Sequence, residues 1–182
     1  MDLSFPQETL RAIDTLREEY PESRSVLIPV LKMAQEEFGH LSPEVMAYVG
    51  ELLEVPEPVV AGVATFYHNF FTSPHGRHVI QVCRTLSCHL AGAAEVSRRF
   101  YEILGVEANG TSDDGLFTIR EVECLAACGT APAVIIDDDY HEGFLPGDCQ
   151  RVVDDLRAGR RPEGGTGAPG GDAALAGAGG PR

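Results

Sequence analysis

The stretches IQVCRTLSCHLAG (80–92) and REVECLAACGTAP (120–132) contain four of the five cysteines of this chain, namely Cys83, Cys88, Cys124 and Cys128. The first pair has the spacing C-x4-C and the second the spacing C-x3-C. Each pair follows a run rich in β-branched residues, which predicts a strand that ends in a loop. Four thiols brought together from two loops are typical of an iron–sulfur cluster, a structural zinc site or two disulfides.

Composition narrows these choices. The chain has 182 residues, 43% of them hydrophobic, and a formal net charge of −14, which argues against binding to nucleic acid or to an anionic membrane surface. Its N-terminal sequence, MDLSFPQETL, lacks the basic and apolar regions of a signal peptide, and its most apolar stretch, residues 59–66, is too short to cross a bilayer. We therefore expect a soluble cytoplasmic protein whose thiols stay reduced, which favours metal binding over disulfides.

The first 75 residues are predicted to form a helical bundle domain. Apolar residues recur at three- and four-residue steps over 7–20 and 23–38, and Ser42-Pro43-Glu44 is a typical helix start for a third helix that ends near Leu53. Pro56 and Pro58 open a fourth helix, for which the pattern predicts an apolar face of Val59, Val63 and Phe66.

The spacing of apolar residues changes from a helical to a strand-like pattern after the turn Ser73-Pro74-His75-Gly76, which predicts a domain boundary there. Residues 76–160 are predicted to form an α/β layer with a mixed sheet, and residues 161–182, rich in Gly, Ala and Pro, a disordered tail. The elements predicted in this second domain are strands at 78–83, 116–122, 133–136 and near 140–142, and helices at 89–104 and 148–158.

The residues alone do not decide between two kinds of metal site. A [2Fe–2S] cluster needs four thiolates, and small residues around the cysteines, such as Ala91, Gly92, Ala127 and Gly129, let backbone N–H groups approach the sulfur atoms. A structural zinc also takes four thiolates, although its ligands more often come in other spacings than C-x3-C. Dithiol redox chemistry is disfavoured because the chain has no C-x-x-C.

Three runs carry a family resemblance: GVATFYHNF (62–70), QVCRTLSCHLAG (81–92) and DGLFTIREVECLAACGTAP (114–132), followed closely by Tyr140. Together they resemble the 24-kDa, E-type family of [2Fe–2S] subunits of NADH:quinone oxidoreductase, respiratory complex I. The resemblance covers about residues 7–158. It implies an α+β chain with an N-terminal helical bundle followed by a thioredoxin-like [2Fe–2S] ferredoxin domain with a mixed four-stranded sheet.

The resemblance also implies a site. Cys83, Cys88, Cys124 and Cys128 are expected to ligate one [2Fe–2S] cluster as its metal and cofactor ligands, whereas Cys149 matches no ligand position and is expected to be structural. Ala126 stands where many members have glycine. A cis peptide bond before Pro132 is a further expectation, because thioredoxin-like folds often place a cis proline before a strand.

The resemblance implies an electron-transfer subunit of an oxidoreductase and no catalytic residue in this chain. The expected partners are the flavin subunit that binds FMN and NADH and further peripheral-arm subunits, on the cytoplasmic face of the inner membrane. The chain itself has no evident NADH site, since the G-x-G-x-x-G match at 165–170 follows no strand.

Two alternatives remain at this point. One is the equivalent subunit of an NAD-linked hydrogenase or formate dehydrogenase, and the other is a structural zinc-binding interaction module. The dense aromatic residues Phe66, Tyr67, Phe70 and Phe71 are expected to pack in the core, with a docking patch for the flavin subunit as the alternative.

Overall fold

The computed structural model describes residues 3–162, and the chain divides between His75 and Gly76 into two compact units. Most of the predicted disordered tail, residues 163–182, lies outside the described residues.

The N-terminal unit is helical. Its helices are α1 Gln7–Glu19, α2 Leu27–Phe38, α3 Pro43–Leu53 and α4 Glu57–Phe66, and a 3-10 turn, Ser23–Val26, leads into α2. Pro29 lies in the first turn of α2, where its missing N–H costs no helical hydrogen bond. At the start of α3 the Ser42 hydroxyl accepts a hydrogen bond from the Val45 N–H (3.3 Å), as the helix-start sequence predicts.

The face that α4 buries differs from the predicted one. Val60 and Ala64 are buried, and Val59 and Val63 are partly buried against the core of this unit. Phe66 is 78% exposed, so the predicted apolar face is wrong for Phe66. At Gly50 of α3 a Cβ would lie 2.9 Å from the Val55 carbonyl oxygen, so glycine lets the segment that leads into α4 pass close to α3.

The C-terminal unit, over residues 76–162, contains a mixed four-stranded sheet in the order β2-β1-β3-β4. The strands are β1 His78–Cys83, β2 Phe117–Val122, β3 Val134–Ile136 and β4 Asp139–His141, and the helices are α5 Leu86–Leu90, α6 Ala93–Leu104 and α7 Asp148–Arg157. Strand β1 is parallel to β2 and antiparallel to β3, and β3 is antiparallel to β4. The predicted mixed sheet after an N-terminal helical region is confirmed.

The predicted helix 89–104 is in fact two helices. Helix α5 ends at Leu90 and α6 begins at Ala93, and the break falls at Gly92, whose φ is +99°. An L side chain rarely adopts this conformation, so glycine allows the chain to turn between the two helices. Cys88 therefore lies on a short helix of its own rather than just before a long one.

One face of the sheet is covered by helices. Its side chains include Ile80, Val82, Ile119, Val134 and Ile136, all at most 1% exposed. They form one core with residues of α6 and α7, namely Val96, Phe100, Val152 and Val153. Because apolar area removed from water stabilises the fold in proportion to its size, this core fixes the sheet on which the cysteine loops begin.

Candidate metal centre

Two adjacent parallel strands bring the cysteine loops to the same edge of the sheet. Cys83 is the last residue of β1 and is aligned with Val122, the last residue of β2. Cys124 follows two residues after β2, Cys88 lies on α5, and Cys128 opens the 3-10 turn Cys128–Thr130. The two loops thus leave the sheet side by side.

Electrostatic interactions link Cys88 to Cys83 and Cys128, and Tyr140 to Cys83, Cys88 and Cys124. Burial raises the pKa of Cys88, its hydrogen bond with the Cys83 thiol and the charge of Cys83 raise it further, and the charge of Cys128 adds to these effects. The structure therefore brings the four predicted ligands into one region, and all five cysteines of the chain are free thiols.

The four cysteines differ in solvent exposure. Cys83 and Cys88 are 1% and 2% exposed, whereas Cys124 and Cys128 lie on the surface. Among residues 3–162, no three His, Cys, Asp or Glu side chains are arranged to surround a single metal ion. The C-x4-C pair thus lies in the interior of the unit, and the C-x3-C pair faces solvent.

Backbone N–H groups point at the sulfur atoms. Burial raises the pKa of Cys83, but the Thr85 hydroxyl at 3.2 Å and the backbone N–H groups of Thr85 and Leu125 outweigh burial, so the net pKa lies below its ordinary value. The Ala133 N–H interacts with Cys88 in the same way, and the Ala126 N–H donates to Cys124 Sγ (3.3 Å). Donors of this kind stabilise anionic sulfur and suit a thiolate-ligated cluster.

Two backbone features shape the second loop. Ala126 has φ +64°, in the left-handed region that favours glycine. The Ala131–Pro132 peptide bond is cis, as expected.

Tyr140 and Thr85 are residues near the thiols that were not predicted as part of the site. The Tyr140 hydroxyl donates a hydrogen bond to the Leu125 carbonyl. Burial, then the Glu142 carboxylate and then the nearby thiols raise the pKa of Tyr140 to about 12. Tyr140 shares one register row with Gln81 and Ile135 across β1, β3 and β4, and Gln81 lies two residues before Cys83; this pairing between strands is not visible in the sequence.

The other candidate residues lie elsewhere. Cys149 is fully buried, and burial raises its pKa to about 12. Phe70 is 2% exposed and packs in the core of the N-terminal unit as expected, whereas Phe66 and Tyr67 are 78% and 40% exposed and do not.

No helix within residues 3–162 is both long and apolar enough to span a membrane.

Known proteins are similar to this chain in sequence. The family model of the thioredoxin-like [2Fe–2S] ferredoxin matches residues 13–157. The E 2 subunit of the NADH-quinone oxidoreductase of Rhizobium meliloti is 38% identical over 154 residues, which are 81% of this chain and 92% of that protein. NADH-quinone oxidoreductase subunit 2 of Thermus thermophilus is 38% identical over 141 residues, which are 77% and 78% of the two chains.

A solved structure shows the same fold in a larger protein. A chain of the NAD+-reducing [NiFe]-hydrogenase in its air-oxidized state has a TM-score of 0.63 and 20% identity over 74% of this chain. The matched region is 23% of the hydrogenase chain.

Proposed function

We propose, because the chain belongs to the thioredoxin-like [2Fe–2S] ferredoxin family, that it is the electron-transfer subunit of the NADH-oxidising module of an NADH–quinone oxidoreductase. The observation that carries this proposal is that four thiols lie on two loops that leave adjacent strands at one sheet edge, with backbone N–H groups aimed at three of them. In this proposal Cys83, Cys88, Cys124 and Cys128 ligate one [2Fe–2S] cluster.

The chain supplies ligands and hydrogen bonds rather than hydride chemistry. A [2Fe–2S] cluster provides one-electron redox chemistry when it is bound. Thr85, Leu125 and Ala126 hold N–H donors against sulfur, which favours the more negative, reduced state of such a site. The buried pair, Cys83 and Cys88, is shielded from solvent, and the exposed pair faces outward toward a redox partner.

The proposed partner is the subunit that binds FMN and NADH. Leu86 and Leu90, on either side of Cys88 on α5, are 73% and 77% exposed, and Tyr140 beside the thiols is 42% exposed. Apolar side chains that a protein leaves in water around a redox site are typical of a protein interface. In this proposal the chain belongs to the peripheral arm of the complex, on the cytoplasmic face of the membrane, together with further subunits of that arm.

The test is a metal and sulfide assay on protein purified without air, both alone and co-expressed with the FMN- and NADH-binding subunit of the proposed complex. We expect about two irons and two sulfides per chain, a red-brown colour that bleaches with dithionite, and co-purification of the flavoprotein. A colourless chain with one zinc would contradict the proposal and favour the zinc-binding module. Co-purification with hydrogenase or formate dehydrogenase subunits would assign the same electron carrier to another NAD-linked complex.

A matched pair of cysteine variants tests the ligand set. Cys124→Ala removes an exposed proposed ligand, and we expect iron and sulfide to be lost while the apoprotein remains folded. Cys149→Ala removes a buried thiol of the core, and we expect unchanged iron and sulfide with a lower unfolding midpoint. Equal iron content in the two variants would remove Cys124 from the ligand set.

A further inference from the structure

The Leu125–Ala126 peptide group makes hydrogen bonds at both of its ends. Its carbonyl oxygen accepts from the Tyr140 hydroxyl, and its N–H, which belongs to Ala126, donates to Cys124 Sγ (3.3 Å). Because a peptide group is planar and its C–N bond has partial double-bond character, the two ends belong to one polarisable unit. A continuous path therefore runs from the Tyr140 O–H through one peptide group to the sulfur of a proposed ligand.

Hydrogen bonds in such a chain polarise one another. An O–H that donates to a peptide carbonyl draws electron density toward the oxygen and makes the N–H of the same peptide a stronger donor. Donation to a ligand sulfur is one of the ways in which a protein tunes an iron–sulfur site. Tyr140 thus lies one peptide group away from an interaction that affects Cys124.

The backbone and the sheet hold this arrangement in place. The positive φ of Ala126 (+64°) belongs to the sharp turn in which its N–H reaches back to Cys124, two residues earlier in the chain. Tyr140 is the central residue of β4 and is aligned with Ile135 of β3, so its position is set by the sheet and not by the cysteine loop. The hydrogen-bonded path therefore connects strand β4 to Cys124, one of the two exposed thiols.

We infer that Tyr140 is a positioning residue, which sets the strength of the N–H···S hydrogen bond to Cys124 through the Leu125–Ala126 peptide group. This inference rests on the proposed function, since it concerns the tuning of a ligand to the [2Fe–2S] cluster. If so, the reduction potential of the cluster depends on the Tyr140 hydroxyl, although this hydroxyl donates to the Leu125 carbonyl and not to a sulfur atom.

Two changes at position 140 test the inference in opposite directions. Tyr140→Phe removes the hydroxyl and weakens the Ala126 donor, so we expect the midpoint potential to shift to a more negative value. Site-specific replacement of Tyr140 by 3-fluorotyrosine strengthens the O–H donor, so we expect a shift to a less negative value. In both proteins the hyperfine coupling of the exchangeable amide proton nearest the reduced cluster, measured by electron–nuclear double resonance, should change with the potential.

Tyr101→Phe is the matched control. The Tyr101 hydroxyl also donates to an acceptor, Glu121 Oε1 at 3.1 Å, but it does so from α6. We expect this variant to keep the wild-type potential and hyperfine coupling. A control that shifts as far as Tyr140→Phe would overturn the inference, because the effect would then not pass through the Leu125–Ala126 peptide.

Iron and sulfide assays on every sample separate this inference from the proposed function. Wild-type protein without iron and sulfide would overturn both. If all the proteins carry about two irons and two sulfides per chain, unchanged potentials at position 140 overturn only the role of Tyr140. The role of Tyr140 is established if the midpoint potentials of Tyr140→Phe and the fluorotyrosine protein shift in opposite directions and Tyr101→Phe keeps the wild-type potential.

Discussion

Ala126 has a strained backbone conformation and also donates a hydrogen bond to a proposed cluster ligand. Its backbone lies in the left-handed region with φ +64°, where an L side chain costs roughly 1–2 kcal/mol. A glycine would adopt the same conformation without that cost. The chain keeps a methyl group at a turn whose N–H donates to Cys124, so strain is tolerated where the hydrogen bond to sulfur requires the turn.

Replacing Ala126 by glycine is expected to stabilise the protein. Relief of the left-handed strain should raise the free energy of unfolding by about 1 kcal/mol. The matched control is Ala127→Gly, next to it in the chain, because Ala127 has φ −106° and is buried, so glycine there brings only added chain entropy and lost packing. The free energies of unfolding of the two variants are measured by urea unfolding without air, at equal iron content. A decrease in stability for Ala126→Gly would contradict the strain argument.

The identities of the site residues are only partly readable in the sequence. Cys83, Cys88, Cys124 and Cys128 could be selected because type and spacing are local properties of the chain. The hydrogen bond from Tyr140 to the Leu125 carbonyl could not, because it depends on how β4 pairs with β3 and on where the second loop turns. Contacts that cross a sheet are set by register, which single residues do not reveal.

His141 is expected to make the stability of the protein pH-dependent. It is 3% exposed, and neither ring nitrogen has a hydrogen-bond partner within the described residues. Burial lowers its pKa, Asp139 and Asp148 oppose the shift, and Arg151 and Arg161 add to it. The unfolded chain therefore binds a proton at higher pH than the folded one, so stability is complete above the ordinary histidine value of about 6.5 and is lost as the pH falls through the folded pKa.

The variant His141→Phe tests this dependence. We expect it to remove the part of the stability loss below about pH 6.5 that belongs to this ring. Near neutral pH it should be close to neutral in stability, because an aromatic ring replaces two unpaired polar atoms beside Phe144 (ring centroids 6.1 Å apart). The measurement is the urea midpoint of both proteins at several pH values between 5 and 8. Parallel pH curves for the two proteins would contradict the role of His141.

At the scale of elements, most strands and the helices α1 and α7 were predicted to within one residue of their observed bounds. Strand 78–83 was predicted with its observed bounds, because a short run rich in β-branched residues that ends in a loop is typical of a strand. The break between α5 and α6 was missed, since Gly92 lies inside a run with helical periodicity and only its backbone angle shows the turn. The exposure of Phe66 on α4 was also missed, because the spacing of apolar residues does not show which side chains the rest of the unit covers.

The break between α5 and α6 gives a prediction about Gly92. Its φ is +99°, and no atom lies within 4 Å of the Cβ that alanine would add, so the cost of Gly92→Ala comes from the backbone alone. We expect the free energy of unfolding to fall by about 1–2 kcal/mol. Because α5 carries Cys88, we also expect faster loss of iron to a chelator.

Gly62→Ala is the matched control for Gly92→Ala. Gly62 lies inside α4, and alanine there would likewise meet no atom within 4 Å. Since glycine is unfavourable inside a helix, this change is expected to stabilise the protein by roughly 0.5–1 kcal/mol and to leave iron loss unchanged. Stability changes of the same sign at the two glycines would show that the left-handed conformation of Gly92 is not what the site requires.

At the scale of the whole molecule, the chain has two hydrophobic cores. The core of the N-terminal unit is built from α1 to α4 and includes Val30, Leu31 and Leu53. The core of the C-terminal unit is built from the sheet with α6 and α7 and includes Cys83 and Cys88. All four proposed ligands and all the N–H donors named above therefore belong to the C-terminal unit.

Separate cores lead us to predict that residues 76–162 fold without the N-terminal unit and bind the cluster. A unit with its own core and its own ligands needs no contribution from the other unit to order its cysteine loops. We expect a fragment of residues 76–162, expressed and purified without air, to carry the same iron and sulfide per chain as the full-length protein and to give the same electron paramagnetic resonance spectrum when reduced. The fragment with Cys124→Ala is its control and should contain neither iron nor sulfide. A fragment that is unfolded or free of iron, while the full-length chain carries the cluster, would show that the N-terminal helices are required to build the site.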